Sequence, residues 1–297
     1  MSIPLVFDAH IHLQPWHMLR PEVRERMWHG RASRDTVLAM ARDPERLLRF
    51  LDGEGIERAV LVNYVSPNVM GFTEETNDWI AAYVRGHESR LYAMGSVHPR
   101  HTRDARADVE RLADKGIRAL KLHPPHQLVS PNAYLDGLEP QAALYRAAED
   151  VGLPLMVHTG TSIFPGARNR YADPMPVDDV ACDFPDLRIV LAHGGRPLHM
   201  DTSVFLVRRH PNVWMDVSGI PPKALLDYFP KLESIAHKVL WGTDWPAPGV
   251  PAPSRNVEQF WALPLAEANK RRILRENALA FFAGRRAGSG EHGEGGA

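Results

Sequence analysis

The sequence predicts an α/β protein with one (β/α)8 (TIM) barrel and a cap-like loop after the first strand. Eight short apolar runs alternate with amphipathic stretches, and together they fill about 280 residues, the size of one closed barrel. Several runs end in histidine, lysine or aspartate, as strands do when their C-terminal ends open on an active site.

In chain order the predicted strands are residues 5–12, 59–63, 92–97, 119–123, 155–158, 189–193, 213–217 and 239–244. Helical periodicity lies between them at 44–54, 74–85, 104–115, 140–151, 199–209 and 222–235; the signal at 178–184 is weakest, and a last helix is expected at 267–282. An open doubly wound sheet would carry a glycine-rich phosphate loop after its first strand. Here that strand runs instead into His10-Ile11-His12-Leu13-Gln14-Pro15. The longest connection, 13–43, is expected to form a partly helical cap over the barrel mouth. No internal boundary is visible, so residues 1–284 are read as the barrel and the glycine-rich 285–297 as a flexible tail.

Composition narrows the function classes. Lys plus Arg number 35 against 36 Asp plus Glu, a net charge of −1 with no long run of one sign, which argues against nucleic acid or an anionic membrane as main partner. No stretch reaches the roughly 18 apolar residues of a membrane span, and the N-terminus has no leader pattern. The single cysteine, Cys182, cannot form an internal disulfide. A soluble, unprocessed, cytoplasmic protein acting on a small molecule is the expectation, and a homodimer is suggested only by analogy with other barrels.

The candidate chemistry sits at strand ends. His10 and His12 share a strand face, so both imidazoles reach one point, and the fifth, sixth and eighth strands end in His158, His193 and Asp244. A lone buried histidine is ordinarily a hydrogen-bonded core residue. Four strand ends supplying donors in the order one barrel requires are hard to produce by packing needs. Imidazoles with a carboxylate suit one borderline divalent ion: Zn2+ first, with Mn2+ or Fe2+ as alternatives, whereas Mg2+ and Ca2+ prefer oxygen.

His10-x-His12, His158-Thr159-Gly160, His193-Gly194-Gly195 and Gly242-Thr243-Asp244-Trp245-Pro246 together resemble the amidohydrolase superfamily. More narrowly they resemble the branch containing aminocarboxymuconate-semialdehyde decarboxylase. The resemblance runs from about residue 5 to residue 282. It implies a metal held by His10, His12, His158 and Asp244, with His193 beside the metal-activated water as acid–base group and Asp244 sharing in proton transfer. In binuclear superfamily members a carbamylated lysine of the fourth strand bridges two metals. Lys121 could do that here, making His193 a ligand, but the narrower branch is usually mononuclear, and Lys121 is then a cation for a substrate anion. His123, Arg196 and Trp16 are further candidates for substrate contact, while Asn63, His98, Arg168 and Arg170 are weaker ones with an equally good structural or solvated role.

Two reactions fit such a site: hydrolysis of an amide, lactone or ester by a metal-activated water, and non-oxidative decarboxylation of an unsaturated or aromatic acid. Aromatic-acid decarboxylases of the branch often resemble a glutamate-containing start, absent here, which favours hydrolysis of a small anionic carbonyl compound. A binding protein that has lost catalysis would show a broken donor set, and all the expected donors are present.

Overall fold

The computed structural model describes residues 3–29, 33–247 and 249–283, so the predicted tail lies outside the described residues. Eight parallel strands pair in sequential order: β1 (Val6–Ile11), β2 (Ile56–Val62), β3 (Leu91–Gly95), β4 (Ala119–Leu122), β5 (Leu155–His158), β6 (Ile189–Ala192), β7 (Val213–Asp216) and β8 (Val239–Leu240). Closure between the last and first strands comes from the Ala9 N–H donating to the Trp241 carbonyl (2.8 Å), the Asp244 N–H to that of His10 (2.8 Å) and the His12 N–H to that of Trp245 (2.7 Å). The barrel predicted from the alternation is therefore the fold.

Helices cover the outside, and local chemistry sets where they begin. Asp43 and Asp104 accept the Glu45 and Ala107 amides (3.0 Å each), capping the helices Pro44–Gly53 and Ala105–Asp114. Their apolar faces pack on the sheet in one continuous buried cluster. A second cluster joins inward residues of several strands, among them Phe7, Val60, Met156, Val190 and Leu240, to Phe281 and Phe282 of the last helix. Polar residues are thus left to the opposite end of the barrel.

Three elements differ from expectation. The helix predicted at 222–235 is broken into Pro222–Ala224, Leu225–Tyr228 and Leu232–Lys238, because Pro230 has no N–H and excludes a continuous ladder. The eighth strand stops at Leu240, and Asp244 follows in a turn. A helix at Pro253–Trp261 had no counterpart in the sequence reading. The weak signal near 178 is a real helix, Val177–Asp183, and the connection 13–43 carries the predicted helical pieces, chiefly Pro21–Trp28 and Arg34–Met40. Among the described residues no helix is long and apolar enough to cross a membrane.

Candidate metal centre

The site grows from β1. A register shift between Asp8 and Ile11 bends this strand, and the His10 and His12 imidazoles meet with their Nε2 atoms 3.2 Å apart. Across the seam Asp244 Oδ1 lies 3.2 Å from His12 Nε2 and 3.7 Å from His10 Nε2. His193, at the end of β6, completes a group with His10 and Asp244 whose donor atoms all lie within 4.8 Å of one another. His158, the last residue of β5, places Nδ1 3.1 Å from His193 Nε2. Both His193 and Asp244 have φ of 65°, a left-handed backbone that costs a non-glycine residue about 1 kcal/mol or more. Such strain is retained where a side chain must be aimed.

Hydrogen bonds fix which nitrogen is free. His10 Nδ1–H donates to Asp216 Oδ2 (2.8 Å), which leaves the Nε2 lone pair facing Asp244 and His12. The Ser218 carbonyl can only accept, so at 3.1 Å it takes the proton of His193 Nδ1 and leaves that ring's Nε2 as an acceptor, 3.1 Å from His158 Nδ1. Gln14 Nε2 stands 2.7 Å from His12 Nδ1. A cation at His12 Nε2 would need this amide turned end for end, so that its oxygen accepts from Nδ1–H. His158 Nε2 is buried without a hydrogen-bond partner among the described residues. The Nε2 lone pairs of His10 and His193 beside the Asp244 carboxylate, three donors within 4.8 Å of one another, fit a bound cation.

Burial also sets protonation. It pushes His10 below the usual imidazole range, and His123, His158 and His193 well below it, so these rings are neutral and able to act as donors to a metal. Burial alone would raise Asp244 and Asp216. For Asp244 the hydrogen bond and charge of His12, with His10 and Arg196, outweigh it; for Asp216, His10 and Ser218 hold the carboxyl down to about 2. Lys121 is lowered by burial to about 8, and its Nζ has no hydrogen-bond partner among the described residues.

These groups open on a cavity of about 380 Å³ lined by His12, Lys121, His123, His158, His193, Arg196 and Asp244, together with Arg26 and Met27 of the cap. His10 stands behind this lining, fully buried. Arg196 Nη2 is 3.5 Å from Asp244 Oδ2. Trp16 departs from the sequence reading: it lies outside the lining, buried in the cap with its ring 5.0 Å from Trp28, because the turn Trp16–Met18 carries it away from the mouth. The weaker candidates have local partners: Asn63 donates to the Leu13 carbonyl (3.1 Å), His98 stacks on His101 at 3.9 Å, and Arg170 lies over Tyr171.

The sequence reading missed several residues. Asp216 closes β7 just as His158 closes β5, a signal that was present at a strand end. Asp8 precedes His10 by two residues and accepts from the Thr243 hydroxyl (2.6 Å) and amide (3.0 Å), pinning the turn before Asp244. Tyr64, in the loop after β2, and His126, in the short helix Pro124–Gln127, are hydrogen-bonded at 3.0 Å and carry no sequence pattern.

A (β/α)8 barrel whose mouth carries a histidine and aspartate cluster able to hold a divalent cation is the class that fold and site define. The sequence matches the amidohydrolase family model over residues 7–284, and the chain belongs to that family, in agreement with the resemblance in its motifs. No curated protein matches it. Among solved structures it is similar to an uncharacterised TIM-barrel protein from Bordetella bronchiseptica (23% identity, TM-score 0.72, covering 94% of this chain and 98% of that one). It is also similar to a probable 2-pyrone-4,6-dicarboxylic acid hydrolase from Acinetobacter baumannii with citric acid bound (16%, 0.65, 94% and 100%). A third is 5-carboxyvanillate decarboxylase from Novosphingobium aromaticivorans, solved with bound manganese (16%, 0.63, 94% and 97%).

Proposed function

We propose that this chain is a metal-dependent hydrolase of a small anionic carbonyl compound, an amide, lactone or ester, with one divalent cation held by His10, His12, His158 and Asp244. Zn2+ is the first choice for this nitrogen-rich donor set. When bound, the cation supplies Lewis acidity that polarises a substrate oxygen and lowers the pKa of water.

The observation that carries the anionic substrate is Lys121. A buried ammonium with no partner is costly, and an anion entering the cavity it shares with Arg196 would relieve that cost. His193, neutral and with Nε2 unprotonated, accepts a proton there in place of its contact with His158 Nδ1, and its own Nδ1–H stays on the Ser218 carbonyl throughout. Asp244, held as a carboxylate, is the second proton acceptor, and Arg196 beside it orients the substrate. The cap brings Arg26 and Met27 over the mouth and limits entry of bulk water.

The recurrence of decarboxylases of aromatic acids among structures with this fold favours a second reading, non-oxidative decarboxylation at the same site. The test offers 2-pyrone-4,6-dicarboxylate, 5-carboxyvanillate and 2,6-dihydroxybenzoate to the metal-loaded enzyme in 18O-labelled water. Solvent 18O in the product without CO2 supports hydrolysis; CO2 release with no label in the product selects the second reading. Elemental analysis of metal content accompanies it. One metal per chain, retained in His193→Ala with turnover abolished, supports the role given to His193, and loss of a metal in that variant makes it a ligand.

A further inference from the structure

We propose a second metal site outside the barrel mouth, in which Asp178, Cys182 and His210 hold a thiophilic divalent cation such as Zn2+ or Cd2+ between two neighbouring helices. Asp178 and Cys182 stand one turn apart on Val177–Asp183, so they share a face. His210 follows the end of Met200–Arg209 in extended backbone. One ligand atom from each of the three lies within 4.8 Å of the other two. Tetrahedral zinc with bonds of about 2.0 to 2.3 Å sets its donors about 3.3 to 3.8 Å apart, so side-chain adjustment of about an ångström closes the site. A thiol, an imidazole and a carboxylate select zinc-like ions over magnesium or calcium.

The seam is already held in place. Asn212 Nδ2 donates to the Phe184 and Leu187 carbonyls (3.1 and 3.0 Å), and Lys238 Nζ donates to that of His210 (2.5 Å), so the chain segments carrying Cys182 and His210 are tied to each other without a metal. His210 is 7% exposed whereas Cys182 is open to solvent, which gives the ion an entry path. His210 Nε2 and Asp178 Oδ1 are 2.6 Å apart and share a proton. On binding, the His210 proton moves from Nε2 to Nδ1 so that the Nε2 lone pair meets the ion, the thiol proton leaves to solvent as three ligand bonds form, and water takes the open position. Arg209 Nε, 3.0 Å from the same Asp178 oxygen, opposes the incoming charge and keeps the affinity below that of a closed structural site.

Because Cys182 is the single cysteine, ultraviolet cadmium–thiolate absorption reads this site alone, with the barrel site silent. Titration of the full chain with Cd2+ is expected to give a band saturating at one ion per chain, with Zn2+ competing and slowing thiol labelling. Cys182→Ser abolishes the band, Asp178→Asn and His210→Gln each weaken binding at least about tenfold, and Arg209→Gln tightens it. No saturable band, or a band whose affinity is unmoved in the exposed-face variants Asp178→Asn and Arg209→Gln, overturns the proposal. Neither readout depends on the reaction at the barrel mouth.

Discussion

Asp216 decides where the proton of His10 sits, and so whether Nε2 has a lone pair to offer. Its Oδ1 accepts the His193 amide (2.9 Å) and the Ser218 hydroxyl (2.5 Å), while Oδ2 faces His10. In Asp216→Asn the amide nitrogen faces His10 instead, the ring takes its other tautomer, and metal affinity is expected to fall about 10- to 100-fold with the fold retained, as zinc calorimetry would measure. Lys121 gives a pH dependence. Its ammonium is lost as pH rises through about 8, so the dissociation constant of an anionic competitor such as citrate should climb about tenfold per unit above that point. Lys121→Met should bind weakly and without this slope; an unchanged slope would remove Lys121 from anion binding. For stability the sign is opposite: the folded-state value lies below the ordinary 10.5, so the cost of burying this ammonium is relieved and stability grows as pH rises from about 8 to 10.5.

The loop after β6 brings Arg196 to the cavity, beside Lys121 of β4. Gly160, after β5, has φ of +100°, and a Cβ there would overlap the Arg196 carbonyl oxygen; the neighbouring Thr161 N–H donates to that same oxygen (3.0 Å). Gly160→Ala is therefore expected to push the Arg196 loop outward, raising KM for an anionic substrate more than about tenfold while circular dichroism stays that of the barrel. The strands were legible because a parallel barrel buries both strand faces and leaves short apolar runs, as in Leu155-Met156-Val157. The helix Pro253–Trp261 was not: it begins inside a proline-rich stretch, and only one proline at its first turn is compatible with the helix. Trp16 was misread for a related reason, since a loop aromatic can face a cavity or a cap and periodicity cannot choose.

The barrel does not depend on the metal for its core, because the large apolar cluster lies between sheet and helices and the donors sit at one end. Chelation is expected to abolish activity, leave the far-ultraviolet spectrum unchanged and lower Tm by about 5 °C, since ligand at a hundred times Kd adds about 2.7 kcal/mol and each kcal/mol moves a chain of this size by about 2 °C. Loss of helical signal on chelation would show that the metal holds the fold itself. The sequence by itself determined the eight-unit barrel and the amidohydrolase motifs, including His10, His12, His158, His193 and Asp244, because period and strand-end chemistry are written locally. Only the tertiary structure decided which atoms meet: that Asp216 and Ser218 orient the imidazoles, that Lys121 stands without a protein partner beside Arg196's cavity, and that Asp178, Cys182 and His210 converge. Those relations join residues from different strands and loops, and their separation is set by barrel closure and packing rather than by spacing along the chain.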